Sequence, residues 1–507
     1  MLTRSSRRFQ LAALGIVLLT VATRLPSLLH PQPIANEAMY SVVANEIVDG
    51  GLPYVDAVER KPPLLFWTYA AIFKTAGKYN WTALHAVSLV WTLTTMAGLY
   101  VIGRHLFDRN TGLIAALLYS VFQPWWSPLQ LAFNGELMMN LPIVWAYAIA
   151  FERSSSRLRP ELLAAGALLC AGFLLKQPAA IAAVPLGIYL LLPGYRMSRS
   201  LTRKETIIQA VMLTAGFFAA LGLVTIVLSK QDILRDAYYW TIADHSIPLM
   251  FWKVVWKTGV NRTLEFVENC LPLLIGAALA FPDRRVVWAQ KHAERIALFC
   301  LLAASAIGVL SGTQFNHHYY IQLIPPLALL AAPHFSQLWS DRTQLHHWLL
   351  RPALMYIMYT WLALIVIALS IVHWTYLARW REPSETGRYL LEHSAPDDRI
   401  FVWGQAAKIY VQAKRRPASR YVESFPLTGH VFSGPIPGFD TRSRIAPGAW
   451  TNLQRDFARH PPAYIVDIQT DSRQPHPVQD FPILARLLAE QYRPVARTAE
   501  GVIYRKR

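Results

Sequence analysis

The sequence predicts a mainly α-helical, polytopic membrane protein that ends in a soluble α/β domain. Hydrophobic residues make up 54% of its 507 residues and charged residues only 16%, against roughly 25% in an average soluble protein. Apolar runs recur up to about residue 377, whereas residues 380–507 are rich in Arg, Pro, Asp and Glu. This composition excludes a wholly soluble globular protein.

The apolar runs predict about 11–13 membrane spans, because a helix needs about 20 apolar residues to cross a bilayer. We assign eleven, at residues 9–29, 82–103, 112–129, 136–151, 161–176, 178–193, 207–229, 262–281, 295–311, 318–334 and 353–377. The first run resembles a signal peptide, but it has membrane length and no clear cleavage site. It is therefore interpreted as a retained helix. Residues 64–76 are too short to span and predict a segment in or near the interface.

Lys and Arg residues predict the orientation of the spans. If the N-terminus is cytoplasmic, the inside loops carry clusters of Lys and Arg, and the short outside loops after spans three, five and nine carry almost none. Cytoplasmic loops are enriched in these residues. The net charge of +18 follows this topology, so we expect no nucleic-acid partner, although basic proteins often bind nucleic acid. Eleven spans place residues 380–507 outside.

Two parts of the predicted outside surface have structure of their own. In residues 230–261, the segment from Asp232 to Trp256 predicts a pair of amphipathic interfacial helices. Residues 1–379 are predicted as a membrane domain and residues 380–507 as a second domain. The second domain is large enough to have its own hydrophobic core. Its predicted elements are buried strands at 399–403 and 463–467 and amphipathic helices at 384–393 and 483–491.

Several kinds of site find no support. Cys170, Cys270 and Cys300 lie inside apolar runs without CxxC spacing, so neither a disulfide framework nor a cysteine metal site is predicted. No Walker A, GxGxxG, HExxH or GxSxG motif is present, which leaves cytoplasmic nucleotide chemistry without support.

The loop between the first two spans, residues 30–80, carries more ionisable side chains than a connector needs. It has a helical first half, a Gly50–Gly51 break and a turn at residues 60–63, Arg-Lys-Pro-Pro. Loops of this length are usually functional. Three of its acids are interpreted as solvated loop charges: Asp49, Asp56 and Glu59. The loop is therefore predicted to contribute to a site.

Polar residues from distant parts of the chain fall on the same outer face in the predicted topology. They are Glu37 and Lys61 in the first loop, Glu136 at the start of span four, Lys176-Gln177 after span five, and His318-Tyr319-Tyr320 at the start of span ten. Ionisable residues at membrane depth are costly and usually functional. Each alone is also compatible with an interfacial anchor, but together they predict a site.

These residue types suit the transfer of a group from a lipid-linked phosphate. The carboxylates of Glu37 and Glu136 can serve as base and charge partner for an acceptor hydroxyl. Arg and Lys side chains bind phosphate, as a fork and as a point charge respectively, and the candidates are Arg60, Lys61 and Lys176. Aromatic and imidazole rings can stack on a sugar or bond to it. Those candidates are His318, Tyr319 and Tyr320.

The same motifs resemble those of bacterial GT-C glycosyltransferases, the membrane enzymes of the protein O-mannosyltransferase and aminoarabinose (lipid A) transferase superfamily. They are Glu37-Ala-Met-Tyr40, Pro53-Tyr-x-Asp56, Lys61-Pro-Pro63, Asn134-x-Glu136, Lys176-Gln-Pro178, His318-Tyr-Tyr-x-Gln-Leu-x-Pro-Pro326, Trp403-Gly404 and Arg415-Arg-Pro417. The resemblance covers essentially the whole chain. It is specific for the superfamily and not for a substrate.

The resemblance implies a GT-C-type bundle in a bacterial inner membrane, with the C-terminal domain in the periplasm. It implies transfer from a polyprenyl-phosphate sugar to a hydroxyl or phosphate of a lipid, glycan or protein acceptor, with inversion at the anomeric carbon. By position, Glu37 and Tyr40 match the first-loop acidic motif. Lys61 matches the donor-phosphate lysine, and Glu136 matches the second acidic position.

Asn36 departs from the family pattern, because the first loop of the family usually begins with Asp-Glu. Asn cannot accept a proton at ordinary pH. Glu37 or Glu136 then acts as the base, or the acceptor needs only positioning, or the chain is inactive or specialised. The Arg near this motif in the aminoarabinose branch is Met39 here, which weighs against aminoarabinose as the sugar.

Two other functions remain open at this point. A transporter or flippase of lipid-linked saccharides would have polar groups in mid-membrane and inverted repeats, and no repeat is visible in the sequence. A non-catalytic scaffold for envelope assembly is favoured by Asn36. We expect no obligatory cofactor and no metal site, while the two outside carboxylates leave a divalent cation open. The sugar, the acceptor and the oligomeric state are not readable from the sequence.

Overall fold

The computed structural model of the protein describes residues 4–34, 36–124, 128–152, 157–245, 252–280, 291–311, 314–340, 360, 363–364, 366–368, 370–375, 383–429, 440–468 and 476–507. These residues are mainly helical, with one five-stranded sheet near the C-terminal end. The predicted combination of a helical bundle and a C-terminal α/β part is therefore confirmed. Most of the predicted eleventh span, 353–377, lies outside the described residues.

The helices and strands have the following bounds. The helices are α1 Arg4–Leu29, α2 Glu37–Val48, α3 Pro63–Ala76, α4 Trp81–Leu106, α5 Arg109–Phe122, α6 Gly135–Phe151, α7 Glu161–Leu175, α8 Ala183–Leu191, α9 Pro193–Ser198, α10 Arg203–Lys230, α11 Leu234–Thr241, α12 Trp252–Leu279, α13 His292–Ser311, α14 Ile324–Ser340, α15 Glu385–His393, α16 Lys408–Ala413, α17 Phe425–Thr428, α18 Ala449–Arg459 and α19 Pro482–Gln491. The strands are β1 Arg399–Trp403, β2 Arg416–Pro417, β3 Tyr464–Ile468, β4 Tyr492–Arg497 and β5 Gly501–Lys506. Short 3-10 turns lie at Pro128–Leu131, Gln177–Ala182, Ala243–His245, His317–Leu323, Thr441–Arg444 and Val478–Asp480.

The chain divides into two compact units. The first comprises Met1–Pro31, His85–Val227 and Met250–Ala378, and the second comprises Gln32–Leu84, Leu228–Leu249 and Arg379–Arg507. The last segment begins next to the boundary predicted at residue 379. The first loop, which we predicted within domain 1–379, groups with the C-terminal residues instead.

Apolar helices make up the membrane part of this multi-pass protein. In the described part, four of them have the length and hydropathy of a membrane span: Arg7–Leu29, Trp81–Leu106, Arg203–Lys230 and His292–Ser311. Several other predicted spans are shorter apolar helices, including Gly135–Phe151 and Glu161–Leu175. The predicted span 112–129 is an α-helix only as far as Phe122. The one at 178–193 begins as a 3-10 turn with Pro178 in its first turn.

Two glycines bring α7 and α10 into backbone contact in the first unit. A Cβ atom on Gly166 would lie 2.0 Å from the carbonyl oxygen of Leu213, and one on Gly216 would lie 2.0 Å from that of Leu163. Small residues allow membrane helices to approach this closely, and van der Waals contact between the backbones then stabilises the pair. The two glycines therefore determine the spacing of these helices.

Gly166→Ala and Gly216→Ala should each lower the midpoint of thermal unfolding of the purified protein. Each added methyl group forces the two helices apart, and overpacking of this kind costs about 1–3 kcal/mol. The matched control is Gly222→Ala on the same helix, because nothing lies within 4 Å of a Cβ at that position. Equal midpoints for all three variants would contradict the close contact.

A mixed sheet forms the centre of the C-terminal part of the second unit. Its strand order is β2-β1-β3-β5-β4, with β1 parallel to β2 and β3, and β5 antiparallel to β3 and β4. The sequence analysis predicts 399–403 and 463–467 as buried strands, and the structure has β1 and β3 there, both almost fully buried. The predicted helices 384–393 and 483–491 are present as α15 and α19.

The first loop folds into two helices that pack on each other within the second unit. The apolar segment predicted at 64–76 forms helix α3. This helix begins at the second of two prolines, whose fixed φ suits a first helical position. The Tyr40 ring on α2 meets the edges of Phe66 and Tyr69 on α3, at centroid distances of 6.3 Å and 5.8 Å. These aromatic contacts hold the loop in one conformation.

The loop predicted as a pair of amphipathic helices is only partly such a pair. Helix α11 lies within the predicted segment and is followed by the turn Ala243–His245. Residues 246–251 lie outside the described residues. The second predicted helix is the beginning of the long helix α12, which continues into predicted span 262–281.

Candidate functional site

Glu136 lies at the first turn of α6, in the first unit. The side chain of Asn134 caps this helix by accepting the N–H of Leu137 at 3.2 Å, as an Asn N-cap residue typically does. Glu136 is thereby placed at the helix N-terminus, where a carboxylate is favoured by the helix dipole. Its side chain is 1% exposed. A charge this deeply buried requires a partner.

Lys176 supplies that partner. Helix α7 ends at Leu175, and Lys176 has extended backbone angles before the turn Gln177–Ala182. Its Nζ lies 2.8 Å from the Oε1 atom of Glu136. A Cβ atom on Gly135 would lie 3.0 Å from the Lys176 Cδ, so the glycine leaves room for the aliphatic part of the lysine.

His318 and Tyr319 complete the cluster around Glu136. The Nε2 atom of His318 lies 4.0 Å from the same carboxylate oxygen, and the side chain is 11% exposed. The Nζ atom of Lys176 lies 4.9 Å from the centroid of the Tyr319 ring. The cluster of Glu136, Lys176, His318 and Tyr319 therefore combines an acid, an amine, an imidazole and an aromatic face. Its residues come from three separated segments of the chain.

Two other predicted residues of this region are placed differently. Tyr320 turns to α12, where its ring stacks on Phe266 at 5.1 Å and its hydroxyl bonds to the Oγ1 of Thr263 at 2.8 Å. Such contacts are those of a packing residue. Gln177 is half-buried at the start of the turn that follows Lys176.

An ion-paired group beside the cluster was not predicted. The Nε2 of His317 lies 2.8 Å from Glu265 Oε2 and 2.7 Å from Arg262 Nη1, and Arg262 and Glu265 pair at 2.9 Å. The i,i+3 spacing of these two charges at the outer start of predicted span 262–281 was the available signal. The group holds His317, the neighbour of His318.

A series of buried hydrogen bonds next to the cluster was also not predicted from the sequence. Arg24, inside predicted span one, donates to Gln123 at 2.5 Å, and Gln123 donates to the carbonyl oxygen of Gln130 at 2.7 Å. Gln130 donates to the carbonyl oxygen of His317 at 3.3 Å. An arginine within an apolar run was the signal, since such residues are rare and usually functional. This series of hydrogen bonds fixes the segment that carries His318.

The acidic motif of the first loop lies in the second unit, at the start of α2. Asn36 is the N-cap residue of α2, and its side chain makes no capping hydrogen bond. Glu37 is completely buried, and its Oε2 accepts the N–H of Ile34 at 2.7 Å. Tyr40 is also buried, between Phe66 and Tyr69. The structure thus gives Glu37 and Tyr40 contacts within the fold of the loop.

Lys61 is held in a tight turn with Glu59. The carboxylate of Glu59 accepts the Lys61 backbone N–H at 2.7 Å and lies 3.5 Å from its Nζ. The hydroxyl of Tyr54, a residue with φ of +70°, donates to the Lys61 carbonyl oxygen at 2.8 Å. We interpreted Glu59 as a solvated charge, which is wrong: it is 8% exposed, because it binds both the backbone and the side chain of Lys61.

Arg60, Glu46 and Asp49 contact the C-terminal part of the second unit. The guanidinium of Arg60 lies 4.8 Å from the centroid of the Phe425 ring. Arg416 on β2 forms a bidentate pair with the buried Glu46, at 2.8 Å and 2.6 Å. Asp49 pairs with Arg416 at 3.5 Å and also with Lys78, so it is not a solvated loop charge either. The bonds to Glu46 raise the pKa of Arg416.

No metal site is apparent in the described part of the chain. No three His, Cys, Asp or Glu side chains there come together in a group that could hold a metal ion.

Part of the chain is similar to a known protein family. A family model for dolichyl-phosphate-mannose-protein mannosyltransferases matches residues 60–224. No curated protein matches the chain by sequence.

Solved structures match over nearly the whole chain. ArnT from Cupriavidus metallidurans bound to undecaprenyl phosphate is 13% identical with a TM-score of 0.59, covering 99% of this chain and 98% of that one. The same protein in the apo state has a TM-score of 0.56 at 13% identity, with coverages of 97% and 98%. The oligosaccharyltransferase AglB from Archaeoglobus fulgidus, in complex with an inhibitory peptide and a dolichol-phosphate, is 13% identical with a TM-score of 0.54, covering 91% and 69%. At this identity the likeness shows the fold, and it confirms the predicted GT-C fold.

Proposed function

We propose that this chain, which has the GT-C fold of the protein O-mannosyltransferase and aminoarabinose transferase superfamily, is a membrane glycosyltransferase. It transfers a sugar from a polyprenyl-phosphate-linked donor to a hydroxyl or phosphate of an acceptor. The reaction takes place on the periplasmic face of a bacterial inner membrane. The N-terminus is cytoplasmic and the C-terminal part periplasmic.

The cluster of Glu136, Lys176, His318 and Tyr319 is the observation that supports this function best. A fully buried carboxylate with one amine at 2.8 Å and an imidazole at 4.0 Å is costly to place among apolar helices. Simple packing would be served better by hydrophobic residues of the same volume. A phosphate that approaches this cluster meets an ammonium and an imidazole, both of which can donate hydrogen bonds to it.

The orientation is supported by how the segments group. The first loop, residues 228–249 and the C-terminal residues are all predicted outside from the Lys and Arg pattern, and all three belong to the second unit. This grouping is independent of the charges that predicted the topology. A unit made only of segments that are predicted outside is consistent with a periplasmic location.

The proposed reaction is a single displacement at the anomeric carbon. The acceptor oxygen forms a bond to this carbon while the bond from the carbon to the phosphate oxygen breaks, and polyprenyl phosphate leaves with the electron pair. The proton of the acceptor passes to Glu37 or Glu136. Lys176 and His318 stabilise the charge on the leaving phosphate, and Lys61 takes the donor-phosphate role that the family resemblance implies. Because phosphate leaves readily, placement and charge stabilisation carry most of the catalysis.

Release of polyprenyl phosphate from polyprenyl-phosphate sugars by the purified full-length protein tests this function. We expect Glu136→Gln and Lys61→Ala each to lower the release by about a hundredfold, the usual size of a lost catalytic proton transfer or charge contact. Glu37→Gln then shows which of the two acids receives the proton. The matched controls are the exposed Glu392→Gln and Lys204→Ala, which should retain wild-type rates.

Two outcomes would contradict the proposal. Full turnover in Glu136→Gln, Lys61→Ala and Glu37→Gln would remove all three residues from the site. Movement of lipid-linked sugar across vesicles without sugar transfer would favour a transporter. Asn36→Asp examines the departure from the family motif: faster turnover would assign that position to catalysis, and unchanged turnover would leave the base at Glu37 or Glu136.

A further inference from the structure

Arg60 and Lys61 are consecutive, yet their side chains meet different partners. Lys61 pairs with Glu59, whereas the guanidinium of Arg60 stacks over Phe425 at 4.8 Å. Stacking of this kind fixes the plane of a guanidinium group, which carries its N–H donors in a fork. The turn therefore presents two cations in two different settings.

A second arginine is fixed close to the same phenylalanine. Helix α17, which begins at Phe425, packs against the turn that ends at Arg444. Thr441 Oγ1 donates to the Thr428 carbonyl oxygen at 2.6 Å, and the Ala446 N–H donates to that of Pro426 at 2.9 Å. Gly429 allows this contact, because a Cβ there would lie 1.9 Å from the Thr441 carbonyl oxygen and its φ is +70°. Arg444 is thus held on a rigid frame.

Arg444 has a buried donor that no other described residue accepts from. Its Nη1 atom has no hydrogen-bond partner within the described residues. Buried donors are almost always satisfied, so an orphaned guanidinium nitrogen indicates a place for an acceptor atom. Neighbouring arginines differ: Arg420 is bound bidentately by Asp456, and the exposed Arg442 is bound by Asp440.

Asp244 is the counter-charge to both arginines. It lies on the turn Ala243–His245 and interacts electrostatically with Arg60 and Arg444. Burial raises the pKa of Asp244, and the two arginines oppose that rise. Asp244 is thus shared electrostatically by two guanidinium groups.

We propose that Arg60 and Arg444 bind a phosphate group of the acceptor. In the absence of the acceptor, the carboxylate of Asp244 partly neutralises the two guanidinium groups. Guanidinium groups match phosphate oxygens bidentately. A stacked arginine and an arginine with a spare buried donor supply a site already arranged for such an anion. This inference rests on the proposed glycosyltransferase function for its acceptor role. It assigns a substrate-binding role to Arg444 and Asp244, and it moves Arg60 from the donor phosphate to the acceptor.

Calorimetric titration of the purified full-length protein tests the site directly. The probes are inorganic phosphate, phosphatidic acid in detergent micelles, and dioleoylglycerol in the same micelles as the uncharged control. We expect the wild type to bind at least one of the two phosphate probes and not dioleoylglycerol. Binding of phosphatidic acid alone indicates a lipid acceptor, and binding of both indicates that the phosphate itself is sufficient.

The variants have opposite expected signs. Arg444→Gln and Arg60→Gln should each weaken phosphate binding by about tenfold, the size of one lost charged hydrogen bond. Asp244→Asn should strengthen it by about threefold, because the competing carboxylate is removed. The control Arg442→Gln lies two residues away and should bind like wild type. A misfolded variant cannot account for stronger binding, so Asp244→Asn keeps the test decisive if Arg444→Gln folds poorly.

Donor turnover separates this inference from the proposed function. If polyprenyl phosphate is released normally but phosphate binding is the same in wild type, Arg444→Gln and Asp244→Asn, the inference is wrong and the function stands. If phosphate binding depends on Arg444 but no donor is turned over, the acceptor role is wrong. If the KM of Arg60→Gln rises for the donor and not for a phosphorylated acceptor, Arg60 binds the donor and not the acceptor.

Discussion

Lys176→Met is expected to abolish sugar transfer and to destabilise the membrane part of the protein at the same time. The substitution removes the ammonium that lies 2.8 Å from the buried Glu136 carboxylate. A buried charge that loses its partner costs about 3–5 kcal/mol. If Lys176 stabilises the leaving phosphate as proposed, loss of this charge contact lowers turnover by about a hundredfold or more.

A double variant separates these two effects. Glu136→Gln with Lys176→Met removes both charges, so the burial penalty disappears and the midpoint of thermal unfolding should return to near the wild-type value. Replacement of a buried ion pair by neutral residues is often neutral for stability. Sugar transfer should nevertheless stay lost in the double variant. Recovery of transfer together with stability would show that the pair is only structural.

Arg416→Ala is expected to loosen the first loop within the second unit. Its guanidinium binds both carboxylate oxygens of Glu46, and it also reaches Asp49 at 3.5 Å. The Glu46 side chain is 4% exposed, whereas that of Arg416 is 40% exposed. Removal of one partner of a buried charge pair costs about 2–5 kcal/mol, and solvent at the arginine places our expectation near 2 kcal/mol.

The coupling between the two residues can be measured in a double-mutant cycle of thermal stability. Glu46→Gln with Arg416→Ala should cost less than the sum of the single variants, because the second change no longer breaks a bond. Arg416→Lys should be intermediate, since lysine cannot bind two oxygens as a planar fork. The control Arg442→Ala, on an exposed pair, should change stability little. Strict additivity would show that Glu46 and Arg416 act independently.

Topology carried most of what the sequence could predict about the site. Glu136, Lys176 and His318 were assigned to one face from the Lys and Arg of other loops, and the structure brings them together within the first unit. Their distances could not be predicted, because they depend on the end of α7 at Leu175 and on the 3-10 turn from His317. Neither feature has a hydrophobic period that can be read in advance.

The polar residues that hold the site were harder to predict than those that form it. Arg24, Gln123 and Gln130 lie within or beside apolar runs, where hydropathy counts them only as exceptions. Glu59 and Arg60 stand in a charged loop, and the pattern of the loop does not show that one is buried against Lys61 and the other stacks on Phe425. Such pairings join residues far apart in sequence or depend on a local turn.

The C-terminal sheet shows the same division between pattern and context. Strands β1 and β3 were predicted because they are short, continuous apolar runs. Strands β4 and β5 were not, because β4 is mostly exposed and contains Pro494, and because the apolar part of β5 is only three residues long before Arg505 and Lys506. Strand β5 pairs with both β3 and β4, and only β4 lies at the edge of the sheet, so their places depend on pairing and not on local pattern.

Gly135 leaves the space that the ion pair of Lys176 and Glu136 needs. Its missing side chain is the space through which the Lys176 stem passes, with Cδ at 3.0 Å and the Leu175 carbonyl oxygen at 3.2 Å from a Cβ at that position. The residue at position 135 therefore limits which side-chain conformations are possible at position 176. A side chain at position 135 would push the Lys176 stem by a few tenths of an ångström, and with it the ammonium that neutralises Glu136. A substitution at Gly135 therefore acts on Glu136 through Lys176.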